Sequence, residues 1–213
     1  MHTLAIIGAG DLGRQIAAVA GACHASEAVV FFDDFAPVGT TVAGGRVLGR
    51  IDDVERQYSE GAFDGLLVGI GYKHAAFRRA CFERFASVIA FPRLVHPSAY
   101  VDPGVRVAAG TIVGAGCVFD QGVIVEANCY FNPGCVIAHD TVVEAHCLFG
   151  PAVTLAGFVT VESSCFLGVG TTVSDNVRIA AGTQTGAGAV VISSITGPGV
   201  YVGVPARRLR DRD

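Results

Sequence analysis

The chain has 213 residues, 51% of them hydrophobic and 16% charged, enough apolar material for one large domain or two modest ones. Its net charge of −4 offers no global basic field to a nucleic acid, and the one basic cluster is Arg207, Arg208, Arg210 and Arg212 at the C-terminal end. The opening Met1-His2-Thr3 lacks the basic start of a signal peptide, and no run reaches the roughly 20 apolar residues of a membrane helix, so a cytoplasmic location is expected.

In chain order, the apolar run Thr3 to Ile7 reads as a buried strand. Gly8-Ala9-Gly10-Asp11-Leu12-Gly13 follows, and Leu12, Ile16, Val19 and Ala20 recur at helical spacing, predicting a helix to about Cys23. Ala28 to Phe32 predicts a second strand ending in Asp33-Asp34, and Phe35 to Gly49, with Pro37, Gly39, Gly44 and Gly45, reads as loop. Asp52 to Tyr58 predicts a short helix with Asp52 as its cap. Leu66 to Ile70 predicts a third strand. His74 to Phe85 predicts an amphipathic helix burying Phe77, Cys81, Phe82 and Phe85, and Val88 to Phe91 a fourth strand. Strands alternating with helices indicate a parallel α/β sheet, a Rossmann-like domain over 1–92.

From Val95 to Val191 a six-residue period runs without a break. Its first places are Val95, Val101, Val107, Val113, Phe119, Val125, Phe131, Ile137, Val143, Phe149, Leu155, Val161, Leu167, Val173, Ile179, Thr185 and Val191, apolar except at Thr185. Four places later the residues are small or β-branched, and five of the seven cysteines fall there: Cys117, Cys129, Cys135, Cys147 and Cys165. The residue just after the first place is often small or acidic, as at Gly114, Asp120, Glu126, Glu144, Gly150, Glu162, Gly168 and Gly186. A strict short period is a solenoid signature. Three such faces close a triangular coil, and coils stacked as parallel strands at roughly 4.8 Å give a prism of about five coils over 93–213. Cysteine in the small column reads as a small buried hydrophobe. No Cys-x-x-Cys pair occurs, and stacked strands point their Cβ vectors the same way, which disfavours disulfides.

Two stretches carry chemistry. Gly8, Gly10 and Gly13 follow a strand and open a helix, the context in which a phosphate sits on helix N–H groups, and Asp33 lies where a dinucleotide fingerprint puts its ribose acid. About 90 residues supply little more than one mononucleotide half, so a single nucleotide or a nucleotide-linked sugar fits better than NAD. A tight strand–helix turn without ligand is the alternative. In Ile137-Ala138-His139-Asp140, the third place of the hexapeptide puts His139 on the exterior or at a corner, where an imidazole can take a proton near neutral pH and Asp140 can orient it. A solvated surface histidine is the alternative there. His96 and His146 do not add up with His139 to zinc-ligand spacing, and His146 reads as a surface or interface residue.

Both halves together resemble the bacterial sugar acetyltransferases of the sialic-acid O-acetyltransferase and bacillosamine-pathway N-acetyltransferase type, within the hexapeptide-repeat acyltransferases. The resemblance rests on the glycine loop, Phe32-Asp33-Asp34, Val68-Gly69-Ile70-Gly71, His96-Pro97-Ser98-Ala99, Phe131-Asn132, Val136-Ile137-Ala138-His139-Asp140, Leu155-Ala156-Gly157 and Tyr201-Val202-Gly203-Val204-Pro205-Ala206, in that order. It implies a left-handed parallel β-helix, an exception to the usual right-handed crossover. It implies acetyl transfer from acetyl-CoA to a nucleotide-linked amino sugar in surface-glycan biosynthesis, N-acetylation before O-acetylation, with no metal. His139 would be the general base and Asp140 its partner, with an amide near Gly157 for the oxyanion. Gly157, Gly186, Ala187, Arg207 and Arg208 would meet coenzyme A. Gly8, Gly10, Asp11, Gly13, Asp33, Asp34, Gly71, Lys73 and Asn132 would meet the nucleotide sugar. Leu12 and Leu148 stand where relatives carry histidines. The resemblance implies a homotrimer with the donor in the groove between subunits, and Tyr130, Phe158, Phe166 and Val169, apolar at outward places, fit burial against neighbours. A non-catalytic nucleotide-binding scaffold and an NAD-linked or zinc enzyme are the other readings.

Overall fold

A computed structural model describes residues 1–211; Arg212, counted in the basic cluster, lies outside the described residues. The chain divides into two compact units, Met1–Leu94 and Val95–Asp213.

The first unit is a five-stranded sheet. In chain order it runs β1 (Thr3–Ile7), α1 (Asp11–Ala22), β2 (Ala28–Phe32), β3 (Thr41–Val42), β4 (Gly45–Gly49), α2 (Val54–Ser59), β5 (Gly65–Val68) and α3 (Ala75–Phe85). The sheet order is β3-β4-β2-β1-β5. β1 pairs parallel with β2 and β5, and Leu4, Ile6, Ile7, Phe31, Phe32, Leu66 and Leu67 form its buried centre. The near-continuous apolar runs of these strands are what a sheet covered on both faces requires.

Five expectations for this unit fail. The stretch 35–49 is not all loop: β3 and β4 make a hairpin over Ala43 and Gly44, both at positive φ, as a two-residue turn of matching twist demands. β4 then pairs parallel with β2, so the sheet is mixed. Val88 to Phe91 is not a strand, for the amides of Val88 and Ile89 turn back to the Phe85 carbonyl and Pro92 has no N–H to donate. Only Ala90 reaches the sheet, accepting from Leu66 N at 2.9 Å. Asp52 is not the cap; a 3-10 turn, Ile51–Asp53, precedes α2, and Asp53 accepts from the Arg50 amide at 2.9 Å, while Asp52 pairs with Arg84. On α3, Phe77 is half-exposed and Arg78 is buried together with Cys81, Phe82 and Phe85.

The second unit is a three-sided parallel coil. One face stacks Tyr100–Val101, Val118–Phe119, Val136–Ile137, Thr154–Leu155, Thr172–Val173 and Val190–Val191. The next stacks Arg106–Val107, Ile124–Val125, Val142–Val143, Thr160–Val161 and Arg178–Ile179. The third runs through Ile112–Val113, Tyr130–Phe131, Leu148–Phe149, Phe166–Leu167 and Thr183–Thr185 to Gly199–Val202, to which Arg207–Arg210 adds antiparallel. Register is a constant eighteen residues, as in Val118↔Val136, Ile124↔Val142 and Tyr130↔Leu148. First-place side chains fill the axis: Phe119, Phe131 and Phe149 meet ring to ring at 4.8 and 4.3 Å. Each such ring taken from water stabilises by about 2–3 kcal/mol. The polar exception, Thr185, is satisfied: its Oγ lies 2.7 Å from Thr171 Oγ and accepts from Gly168 N. All five column cysteines are fully buried.

The turns repeat too. Every fourth place from Gly110 to Gly188 has a left-handed backbone; half of the occupants are Gly, and the others are Asn128, Asp140, His146, Ala152, Phe158, Ser164 and Asn176. Glycine adopts that conformation without strain, Asn and Asp at small cost, larger residues at about 1–2 kcal/mol. Of the four residues expected to project from the prism, Phe158 and Val169 are about half exposed and Phe166 is partly covered, but Tyr130 is buried within the single chain.

Candidate active site

Each edge of the prism has its own chemistry. Along the edge after the second face, Glu126, Glu144 and Glu162 stand one coil apart, and each accepts the turn amide of the following coil, Ala145, Ser163 and Ala181 respectively, at 3.0 Å. The glutamates seen in the period are therefore coil-to-coil caps, whereas Asp120 accepts from the adjacent Gln121 amide; the Ala181 amide and then Arg178 hold the Glu162 carboxyl below its ordinary pKa. Along the edge after the third face, Gly114, Gly150, Gly168 and Gly186 have no room for a side chain: a Cβ would lie 2.6–2.8 Å from the next coil. Asn132 shares that column and donates its Nδ2 to Phe149 O at 2.7 Å.

The third edge carries Asp120-Gln121-Gly122, Ala138-His139-Asp140, Ala156-Gly157-Phe158 and Ser174-Asp175-Asn176 in successive coils. His139 Nδ1 meets Asp140 Oδ2 at 3.1 Å, with both side chains partly exposed. Its carbonyl accepts from Phe158 N at 3.1 Å. A Cβ on Gly157 would sit 2.6 Å from His139 Cε1 and Nε2, so the glycine exists to admit the imidazole. The Phe158 ring closes the remaining side, 5.0 Å from the imidazole with the planes at 87°. Among the described residues, Nε2 of His139 and the Gly157 amide have no hydrogen-bond partner. An imidazole anchored at one nitrogen and unbonded at the other, beside an unbonded amide, can take a proton and stabilise a developing oxyanion at one place.

His146 is elsewhere, its Nδ1 2.9 Å from the amide nitrogen of buried Asn128, and His96 Nδ1 lies 2.8 Å from Ser98 Oγ. No group of three or more His, Cys, Asp or Glu among the described residues is placed to hold a metal ion. Among the described residues, no helix is long and apolar enough to cross a membrane.

In the first unit the glycines separate by role. Gly8 has φ +96° and a Cβ would strike Gly69 O at 2.8 Å; a Cβ on Gly13 would lie 1.9 Å from Gly8 O. These two are required by packing alone. Gly10, at the N-cap of α1, and Gly71 have open space around the position of a Cβ, and no side chain caps the first amides of α1. Asp11 is in that first turn, ion-paired with Arg14, and Lys73 is exposed beyond Gly71. Asp33 Oδ2 accepts from Ala9 N at 2.7 Å and Oδ1 from Phe35 N and Ala36 N at 2.8 Å. Burial would raise its pKa, but the amides of Ala9, Ala36 and Phe35 together outweigh that and hold the carboxyl below the ordinary value. Asp34 accepts from Ile51 N at 3.1 Å, near Arg50.

Among solved structures the chain is similar to PerB from Caulobacter crescentus in complex with CoA and GDP-perosamine: 31% identity, TM-score 0.90, covering 98% of each chain. The chain belongs to the bacterial sugar acetyltransferases of the hexapeptide-repeat type. Its fold is accordingly a Rossmann-like sheet followed along the chain by the left-handed parallel β-helix of those enzymes. The acetyltransferase domain of PglB from Neisseria gonorrhoeae FA1090 matches at 28% identity and TM-score 0.92, covering 98% of this chain and 100% of that one. The family model for the PglD N-terminal domain matches residues 3–85. No curated protein sequence matches significantly. Sequence reasoning put His139 and Asp140 on the exterior or at a corner and named Gly157 only through the family resemblance; the structure brings the three to one edge, and Phe158, expected only among interface residues, joins them. The signal that singles Phe158 out was present: it is the one phenylalanine in a column of glycine, asparagine and other small or polar turn residues.

Proposed function

We propose that this enzyme transfers the acetyl group of acetyl-CoA to the amine of a nucleotide-linked amino sugar, with His139 as general base. The observation that carries the reading is the His139 edge itself: Nδ1 held on Asp140, Nε2 open, and an unbonded Gly157 amide beside it. The acceptor nitrogen attacks the thioester carbonyl and loses its proton to Nε2; the carbonyl oxygen gains charge against the Gly157 amide; the C–S bond breaks and the proton passes from the imidazolium to the sulfur, so coenzyme A leaves as the thiol. Asp140 keeps Nδ1 protonated and faces the imidazolium as it forms. Support comes from the relatives: PerB was solved with CoA and GDP-perosamine, the PglB domain with acetyl coenzyme A. Two further perosamine N-acetyltransferase structures hold CoA and GDP-perosamine with one histidine replaced by alanine or asparagine.

The uncapped first amides of α1, with Gly10 and Asp11 at its start and Gly71 and Lys73 on the neighbouring loop, take the nucleotide phosphates. Gly8 and Gly13 serve by shaping that loop. Asp33 and Asp34 act mainly by holding it, since their oxygens already accept backbone amides. Arg207 and Arg208 supply charge for the phosphates of coenzyme A. Gly186 and Ala187 lie on another edge of the prism than His139, so a donor groove using both edges forms between neighbouring copies, with Asn132, on the edge of Gly186, meeting the sugar there. That motivates a homotrimer, with exposed Val169 and the outward Tyr100, Val118 and Val136 covered in it. Acetyl-CoA and nucleotide sugars are intracellular pools, so the same reading places the enzyme in the cytoplasm.

The test is thiol release from acetyl-CoA across a panel of nucleotide-linked amino sugars, beginning with GDP-perosamine. His139→Ala is expected to lower turnover by about 10²–10⁴-fold, the range for losing a general base, with Asp140→Asn intermediate and His146→Ala near wild type. Near-normal turnover by a folded His139→Ala protein would show that another group takes the proton.

A further inference from the structure

Phe158 stands where the fold does not want it. Its place in the hexapeptide requires a left-handed backbone, and its φ is +59°. For a residue other than glycine that conformation costs about 1–2 kcal/mol. The core does not return the cost, because the side chain is 54% exposed. On the same edge the equivalent turn residues are Gly122, Asp140 and Asn176, each suited to the conformation. A strained, half-exposed aromatic ring next to an active-site histidine is a feature that function maintains rather than folding.

What the ring touches gives the reason. Asp140 and Phe158 occupy the same turn position in consecutive coils and bracket His139. Asp140 holds Nδ1, Gly157 lies against the Cε1–Nε2 edge, and Phe158 lies across the imidazole at 5.0 Å with the planes at 87°. With Asp140 alone, the imidazole could still turn about its χ2 axis while keeping a hydrogen bond to a mobile carboxylate. Phe158 removes that freedom, since an edge-to-face aromatic contact has a defined geometry. We propose that Phe158 is a positioning residue: it fixes the plane of the His139 imidazole so that Nε2 faces the attacking nitrogen. This rests on the reading of His139 as general base.

The left-handed backbone supplies a test that separates positioning from support of the fold. Phe158→Gly removes the ring and also relieves the backbone. It is expected to melt at the same temperature as wild type or higher, keep the same sedimentation, and hold KM for both substrates within about threefold, while kcat falls about tenfold, part of the hundredfold that a misplaced reacting group costs. Phe158→Tyr, which keeps the ring, is expected within about twofold of wild type. In a His139→Ala background, Phe158→Gly should cause no further loss. The assay is thiol release from acetyl-CoA with GDP-perosamine or whichever nucleotide-linked amino sugar gives the highest wild-type rate. If Phe158→Gly keeps kcat within twofold while His139→Ala collapses, positioning is wrong and the base assignment stands. If the loss comes with a lower melting temperature or a dissociated oligomer, Phe158 supports the fold or the subunit contact, and the proposal is overturned. If His139→Ala itself keeps turnover, the base reading fails and this inference falls with it.

Discussion

Gly157→Ala is the smallest change that should disable the site without disturbing the prism. Gly157 is buried and its backbone is not left-handed, so alanine can take the conformation. The added Cβ would stand 2.6 Å from His139 Cε1 and Nε2, where ordinary contact begins at 3.4 Å, a shortfall of about 0.8 Å. Backbone hydrogen bonds fix Gly157 itself, since its carbonyl accepts from Asn176 N and the next amide, Phe158 N, donates to His139 O. The imidazole is the part that can move, being 41% exposed. Its displacement outward by close to 1 Å breaks the 3.1 Å contact with Asp140 and carries Nε2 away from the acceptor. A misplacement of that size costs about 100-fold in rate, or about 2.7 kcal/mol at 1.36 per tenfold.

Stability should hardly change. A half-exposed ring swings into water, and replacing glycine by alanine restricts the unfolded chain, an effect of about 0.4–1 kcal/mol in favour of folding. The measurement is kcat and KM by thiol release, with a melting curve beside it. Because both changes act through one side chain, Gly157→Ala added to His139→Ala should cost nothing more. Turnover within twofold of wild type would mean that the position of the imidazole does not limit the reaction. A comparable loss in the double variant would mean that Gly157 acts on the substrate by itself.

Other outcomes follow from the same structure. Native protein should resist thiol reagents at Cys117, Cys129, Cys135, Cys147 and Cys165 until unfolded, since all five are buried and burial pushes the Cys147 thiol well up; rapid labelling by mass spectrometry would contradict the core assignment. Sedimentation at micromolar concentration should give a trimer, and a stable monomer would refute the between-copies groove. Asp33 has a folded pKa below its ordinary value, so its contribution to stability is complete above that value and is lost as pH falls through the depressed folded one. Asp33→Asn should therefore lower the urea midpoint at neutral pH, and the gap to wild type should narrow in acid; a gap independent of pH would show that the amide bonds to Ala9, Phe35 and Ala36 carry no charge-dependent energy.

The solenoid was legible because it repeats one physical requirement: a large and a small inward residue at each short strand, without an insertion. Even Thr185, which breaks the apolar rule, obeys it, since Thr171 and Gly168 satisfy its hydroxyl. The first unit was less legible where short-range signals compete. Gly44 and Gly45 read as loop, yet Gly44 belongs to a hairpin turn and Gly45 opens β4; a Cβ on Gly45 would lie 2.3 Å from Val29 O, so close strand approach, not looseness, selects glycine there. Val88 to Phe91 has strand composition, but the end of α3 takes the Val88 and Ile89 amides and Pro92 has none to give a ladder. Tyr130 occupies an outward place, and a period read along one chain cannot say what covers it.

The site is legible only when the three edges are compared. Glutamates staple one edge coil to coil, and glycines let the coils close tightly on another, so the residues there answer to the neighbouring coil. On the His139 edge the residues answer to one another. Gly157 makes room for an imidazole, Asp140 holds one of its nitrogens, and Phe158 accepts a strained backbone to lie across it. No requirement of a stacked coil calls for that combination, since the same edge closes elsewhere with Asp120-Gln121-Gly122 and Ser174-Asp175-Asn176. A departure from the repeat confined to two consecutive coils, with its members in mutual contact, is what a catalytic base needs, because the nitrogen that takes the proton must be held by side chains that do nothing for the core.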